Sequence, residues 1–485
     1  MSIRSKKPTE LNIIQSLIHE AGNPADLRIM PFGRDLSAYL IYLNSLIPFE
    51  KYHDLIDRLP QEWLGRNQPD PPLTHETLQT NLSITEAVEK MLAGHLLMII
   101  PGASRIASLD VQGWLRREPK EPQTERLIRG PREGFVETLE DNIGMIRRWI
   151  QDPKLKIIET VLGRRTKTRV VLMYLADIAQ PRLVTEVTRR LKAIKIDGIL
   201  ESGYIEQLIS DRRASIFPLT QATERSDKAA SAILEGRVVI LVDKSPSSII
   251  VPTTINEMYQ TPEDYYFNFW IGSFLRLIRL LGNNLAVVLP GLYIALAAYH
   301  PELLPTQLAL SIAGTASRVP LPLIAEVLLL EIMVEVFREA GLRLPGAVGQ
   351  TLGVVAGIVL GLSAVQAGFI SPATLAVVSI TAIASFTGPN YSVDIAWRLL
   401  KFIMLFAAAV LGLYGIILSG LAILIHAADL NSFGVSYLAP WAPLQWRALK
   451  DGPFRMPFWA RLYRPETWRP QDTLRSGGTK GEDDD

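Results

Sequence analysis

The chain has 485 residues, of which 48% are hydrophobic and only 20% charged, with 50 Lys+Arg against 49 Asp+Glu. A mean hydropathy of +0.18 is too low for a chain that is membrane from end to end and too high for one that is soluble throughout. The +1 net charge argues against a nucleic-acid binder, and the absence of cysteine removes thiol catalysis, disulfides, Cys-based zinc sites and iron–sulfur clusters.

The first residues, MSIRSKKPTELNIIQSL, carry charge but no apolar core of signal-peptide length, so the N-terminal part is expected to stay in the cytoplasm. Up to about residue 280 the chain reads as α/β, and it contains a repeat. Phe32–Leu43 (FGRDLSAYLIYL) resembles Leu162–Leu175 (LGRRTKTRVVLMYL), each a glycine-basic turn followed by a strand ending in Tyr-Leu. A proline-led amphipathic helix is expected after each, over Pro48–Leu59 and Pro181–Leu191. Met91–Ile100 (MLAGHLLMII) then resembles Ile233–Val242 (ILEGRVVILV): a helix stopping at Gly94 or Gly236, then a buried strand. A turn and a further strand follow, ASRIASLDV in one copy and SPSSIIVPTT in the other. The copies are expected at 1–117 and 133–260. Between them, 118–132 is rich in Pro, Lys, Glu and Arg and suits a linker, and Glu133–Ile150 has helical spacing with an acidic start and a basic end.

Beyond Arg279 the charges nearly vanish. None occurs between Leu280 and Pro301, none between Leu344 and Val393, and none from Phe402 up to Asp429. Runs of about 18 or more uncharged apolar residues are long enough to cross a bilayer as helices. Asn283–Tyr299, Val348–Ile370 and Phe402–Ile425 are the candidate spans. Leu321–Phe337, which holds Glu326, Glu331 and Glu335, and the short Pro372–Thr387 are ambiguous. Arg276 and Arg279 precede the first span, and Arg447, Lys450, Arg455, Arg461, Arg464 and Arg469 follow the last. The positive-inside bias puts both ends in the cytoplasm and requires an even number of crossings. Four crossings over 282–430, with one ambiguous segment re-entrant or buried, and a basic cytoplasmic tail over 431–485 satisfy it. The fold class is therefore an α/β duplicated cytoplasmic N-terminal region followed by an all-α polytopic membrane domain.

Several long motifs resemble one family. RGPREGFVETLEDNIGMIRRWI (Arg129–Ile150), the stretch Phe217–Pro252, TPEDYYFNFWIGSFLRLIR (Thr261–Arg279), FREAGLRLPGAVGQTLG (Phe337–Gly353) and SFGVSYLAPWAP (Ser432–Pro443) are similar to the A subunits of spore-germination nutrient receptors, the GerA family. The resemblance covers about 129–443 and is weaker over the first 125 residues. Lys244 departs from it, since the family more often has a small residue there. The resemblance implies a subunit of the inner spore membrane. It implies work with a transporter-like B subunit and a lipoprotein C subunit, and self-assembly, as a pentamer, into an ion channel that opens on nutrient binding. A SpoVAF-type accessory channel fits the same motifs. A membrane-anchored cytoplasmic sensor or docking module is the alternative from a different class.

Carboxylates at membrane depth are expensive, so Glu326, Glu331 and Glu335 are a candidate ion pathway. Glu335 stands three residues before Arg338, and pairing with Arg338 or Arg343 is the expected reading for it. For Glu326 and Glu331, pathway and paired charge stand equal. Gly349, Gly353, Gly357 and Gly361 recur every fourth residue, a stripe for close helix packing within or between protomers. Gly412, Gly415 and Gly420 suit either a hinge or tight packing. Tyr265–Leu281 is aromatic-rich, and 261–281 is expected as a helix lying on the membrane surface, anchored by Trp270, Arg276 and Arg279. Membrane lipid is an expected partner and nucleic acid is not. The six histidines are scattered, GRRTKT (Gly163–Thr168) lacks P-loop spacing, and no catalytic set, metal site or cofactor is expected.

Overall fold

In the first α/β unit, helix α1 (Pro8–Glu20) leads into strands β1 (Leu27–Phe32) and β2 (Ala38–Leu43). Strand β3 (Leu78–Gln79), helix α2 (Ile84–Leu92) and strands β4 (His95–Ile100) and β5 (Arg105–Asp110) complete it. The sheet order is β1-β2-β4-β5-β3, with every pair antiparallel. The computed structural model describes residues 8–32, 38–47, 78–79, 82–100, 105–110, 121–122, 125–343 and 361–475. The helix expected over Pro48–Leu59 lies outside them.

The second unit repeats the first in the order of its strands and in the helices that precede its first and fourth strands. Helix α3 (Leu139–Trp149) precedes strands β6 (Leu155–Leu162) and β7 (Thr168–Leu175), and α4 (Pro181–Ala193) and α5 (Ser202–Ile209) follow. Then come β8 (Gln221–Thr223), α6 (Ser226–Leu234), β9 (Val238–Val242) and β10 (Ser248–Val251). The sheet order, β6-β7-β9-β10-β8, is that of the first sheet, again antiparallel throughout. The paired glycines take equivalent positions. Gly94 (φ 94°) and Gly236 (φ 92°) each turn the chain out of a helix into a central strand, a backbone state that favours glycine.

All five residues of β9 are buried because both faces of its sheet are covered. Val239 and Leu241 pack with Ile143 and Ile146 of α3 and Ile233 of α6; Val238, Ile240 and Val242 pack with Val187 of α4 and Ile205 of α5. The uninterrupted apolar run VVILV is the sequence form of a doubly covered strand. Helix α3 starts at Leu139, six residues after the start expected from spacing. Phe135 instead donates its N–H to the Glu224 carbonyl (2.7 Å), and Phe135 and Val136 are buried as extended chain. The described part of the expected linker is pinned to the second unit: Lys228 pairs with Glu125 (2.7 Å) and Arg225 donates to the Pro131 carbonyl (2.8 Å).

The C-terminal half is helical. After the short α7 (Ile255–Tyr259) and α8 (Glu263–Tyr266), α9 (Phe269–Ile294) continues as a π-helical turn over Ala295–Tyr299. The separate surface helix expected over 261–281 is therefore not formed. No proline lies between Phe269 and Pro290, and Asn268 caps the N-terminus by accepting from Trp270 N (3.3 Å), so amphipathic stretch and apolar span become one helix. Phe269–Tyr299, at 31 residues, is long and apolar enough to cross a membrane.

Helices α10 (Thr306–Ala316), α11 (Leu323–Arg343), α12 (Gly361–Gln366), α13 (Pro372–Ala384), α14 (Tyr391–Leu411) and α15 (Leu413–Asp429) follow. The expected span Phe402–Ile425 is broken at Gly412, whose φ of 60° and ψ of −136° close α14 and open α15. A Cβ on Gly415 would lie 2.0 Å from the Ala407 carbonyl oxygen, so the two helices meet in direct contact just past the corner. Most of the expected span Val348–Ile370 lies outside the described residues. Helix α13 has 13 residues, about 20 Å, short of the roughly 30 Å hydrocarbon core of a bilayer.

The segment after α15 does not hang free. Ser432 donates to the Leu219 carbonyl (2.7 Å), and Phe433 lies under the Arg190 guanidinium (4.2 Å). Further on, Gln471 donates to the carbonyls of Ile178, Ala176 and Ala179. The basic tail is thus a strap over the second α/β unit.

Candidate functional site

A row of charges crosses the apolar helices between α11 and α14. The four-residue spacing on α11 puts Glu331 and Glu335 on one face, with Glu326 about 140° round the helix from Glu331; on α14, Asp394, Arg398 and Lys401 stand four and three apart and share a face. Lys401 donates to Glu331 Oε2 at 2.5 Å, with side chains 4% and 1% exposed. Glu335 is shared by Arg398 (3.0 Å), Arg338 (3.4 Å) and Lys401 (3.4 Å). The i,i+3 pair expected for Glu335 is present, and α14 adds two further partners. Glu326 is fully buried away from this knot and accepts from Ser371 N (2.8 Å) at the start of α13, where a carboxylate suits the helix dipole.

Removing charges from water costs several kcal/mol per ion unless partners compensate closely. Here three carboxylates (Glu331, Glu335, Asp394) stand against three cations (Arg338, Arg398, Lys401), and the row balances. It is not saturated. Glu331 Oε1, Arg338 Nε, Asp394 Oδ1 and Asn283 Nδ2 are buried without a hydrogen-bond partner, as is Glu326 Oε1 outside the row. Asn283, Asp394, Arg398 and Lys401 line one small void with Ser385 and Trp397. Sequence reading missed Asp394, Arg398 and Lys401 because they fall between two uncharged runs. Their 394/398/401 spacing was the available signal.

A second cluster ties the base of α9 to the α/β unit and the strap. Arg276, 2% exposed, pairs with Asp264 (3.2 Å) and donates to the carbonyls of Asp451 (2.8 Å) and Gly452 (2.9 Å). Arg279 pairs with Asp264 and reaches the Tyr259 carbonyl (3.0 Å). Both residues named as surface anchors thus turn into protein, whereas Trp270 is 71% exposed. The guanidiniums of Arg276, Arg455 and Arg461 surround the Tyr265 ring at 5.7, 5.6 and 4.7 Å, and Tyr265 donates to Asp451 (3.0 Å). Burial pushes the Tyr265 hydroxyl pKa up.

Beside this cluster, a cavity of about 250 Å³ opens between strap and α/β unit, lined by Glu235, Glu257, Asp451, Arg461 and Trp468 among others. Burial pushes the Glu257 carboxyl up to about 7, against the pull of Arg237 and with help from Glu235 and Asp451. Gly349, Gly353 and Gly357 lie outside the described residues; Gly361 packs against Leu375 of α13. Among the described residues, no three His, Asp or Glu side chains are grouped to hold a metal ion.

The sequence profile of the Bacillus/Clostridium GerA spore germination protein matches residues 15–467. The chain belongs to the GerA family. Spore germination protein KA of Bacillus subtilis (strain 168) is 39% identical over 469 residues, covering 94% of this chain and 86% of that protein. Spore germination protein B1 of the same organism is 40% identical over 401 residues, covering 83% and 82%. The membrane protein YfkQ, also of B. subtilis, is 35% identical over 96% of this chain and 91% of its own. Among solved structures, the N-terminal domain of the A subunit of the Bacillus megaterium spore germinant receptor GerK3 aligns over 52% of this chain and 97% of its own, at 29% identity and a TM-score of 0.39. GerA membership spans both α/β units, the charged row and most of the strap.

Proposed function

We propose that this chain is the A-type membrane subunit of a nutrient germinant receptor, which assembles with its own copies into a ligand-gated channel that releases cations at the start of germination. The observation that carries the reading is the family match, which runs unbroken through the α/β units and the apolar helices. In this reading the chain sits in the inner spore membrane with both termini in the cytoplasm. Its partners are a transporter-like B subunit, a lipoprotein C subunit, membrane lipid and further copies of itself in a pentamer. Support comes from the unpartnered apolar faces of α9, α14 and α15, where Phe274, Leu281, Phe406, Val410, Ile417 and Leu424 are exposed and suit lipid or a neighbouring subunit. Trp270 is the remaining interfacial anchor in this reading.

Glu331 and Glu335 belong to the ion pathway in this reading, since a charged row inside apolar helices is costly and tends to face an ion route. Glu326, held by Ser371 N at the start of α13 and apart from that row, is a further carboxylate of the route in this reading. The test is reconstitution of the chain with B and C partners in liposomes loaded with rubidium ions. Nutrient-triggered efflux that is slowed or loses selectivity in Glu331→Gln supports the proposal. A complex that never conducts, or that contains one copy of this chain when imaged in detergent, overturns it.

A further inference from the structure

The acidic side of the row has an occupant. The Lys401 ammonium, held at 2.5 Å from Glu331 and 3.4 Å from Glu335, sits between two carboxylates of α11 while its own backbone belongs to α14. A monovalent cation moving between these helices would seek the same oxygens, those of Glu331 and Glu335. Arg338 and Arg398 already share Glu335, so Lys401 is the cation on which the neutrality of Glu331 depends. Glu331 also keeps Oε1 buried and without a hydrogen-bond partner, so the seat has a free ligand oxygen as well as a charge.

We propose that Lys401 is a tethered cation filling a monovalent-cation site at Glu331, and that the charged row is closed to ions while the Lys401–Glu331 pair is made. Withdrawing the ammonium by a relative shift of α11 and α14 frees the site for a mobile ion. The idea deepens the channel reading above and rests on it for the words closed and open, but the site itself is testable without conduction.

Two measurements on the full chain separate the possibilities. In liposomes with the partner subunits, Lys401→Met raises nutrient-independent rubidium efflux by about tenfold or more, and adding Glu331→Met to it reverses the rise. In detergent, thallous ion raises the melting temperature of Lys401→Met, and does so far less for the wild-type chain or the double variant. Should Lys401→Met fail to fold, the charge swap Glu331→Lys with Lys401→Glu keeps the pair, and Lys401→Gln keeps a polar side chain for both readouts. Efflux and thallous-ion response that are both unchanged in the Lys401 variants overturn the proposal. A thallous-ion shift in a complex that never conducts keeps the site and removes the channel.

Discussion

Arg147 in the last turn of α3 grips Asp26, 121 residues earlier, through two hydrogen bonds of 2.9 and 2.7 Å, and both side chains are buried. Asp26 also accepts from Ser45 Oγ (2.5 Å), so one carboxylate locks the turn before β1 and the end of β2 onto the second α/β unit. Removing one partner of a buried pair leaves the other charge uncompensated. Arg147→Ala is expected to cost roughly 3–5 kcal/mol in stability, and Asp26→Asn combined with Arg147→Met distinctly less. Denaturant unfolding of the full chain in detergent, followed by tryptophan fluorescence, checks the order of the two.

The same helix lies against Ser45 so closely that a Cβ on Gly144 would stand 2.2 Å from the Ser45 carbonyl oxygen. Backbone cannot yield there as a flexible side chain does. Gly144→Ala should destabilise by about 1–3 kcal/mol and loosen the contact between the units. Faster amide exchange over residues 139–149, in the variant relative to wild type, is the sign to look for.

Glu257 carries the pH prediction. Its folded pKa of about 7 lies above the ordinary carboxylate value, so the folded chain holds a proton that the unfolded chain releases. Stability is therefore favoured at acid pH and falls as pH rises from near 4.5 through 7, after which the penalty is complete. Glu257→Gln removes the penalty while keeping polar atoms beside Arg237. Its stability relative to wild type should rise by about 1–3 kcal/mol between pH 5 and pH 8. A difference that does not change with pH would falsify this assignment.

Gly412 closes α14 and opens α15 with a φ of 60°, and a Cβ there would also press the Tyr299 side chain at 3.1 Å. Gly412→Ala is expected to cost about 1–3 kcal/mol. A lower melting temperature, with no gain in helix content by circular dichroism, distinguishes a forced corner from a straightened helix.

Trp468 of the strap is buried, with the Arg237 guanidinium of the second α/β unit 4.7 Å from its ring. Trp468→Ala removes that contact and the apolar fill, for a loss of roughly 3–5 kcal/mol. Limited proteolysis reads it directly: cleavage after residue 440 should appear in the variant at protease levels the wild type resists.

The repeat in the α/β region was legible because glycine-ended helices and apolar central strands are local signals, and they recur in matching order. MLAGHLLMII and ILEGRVVILV predict β4 and β9 in equivalent places, and the two sheets have the same strand order. The break at Gly412 was not legible as such, because an uncharged run of this length looks alike whether straight or folded back. The start of α3 was misplaced because 133–138 has helical spacing, but its backbone bonds are taken by the edge of the second sheet.

By itself the sequence determined the division into a charged α/β region and an uncharged helical one, the internal duplication and the family. All three follow from composition, periodicity and long motifs, which are properties of neighbours in the chain. Only the tertiary structure decided that Arg276 faces Asp264 and Asp451 rather than a membrane surface, that the basic tail is a strap, and that Glu331 is neutralised by Lys401. Those outcomes depend on which distant charges come to share a buried space. Charge pairing acts through distance in space and leaves no periodic trace along the chain.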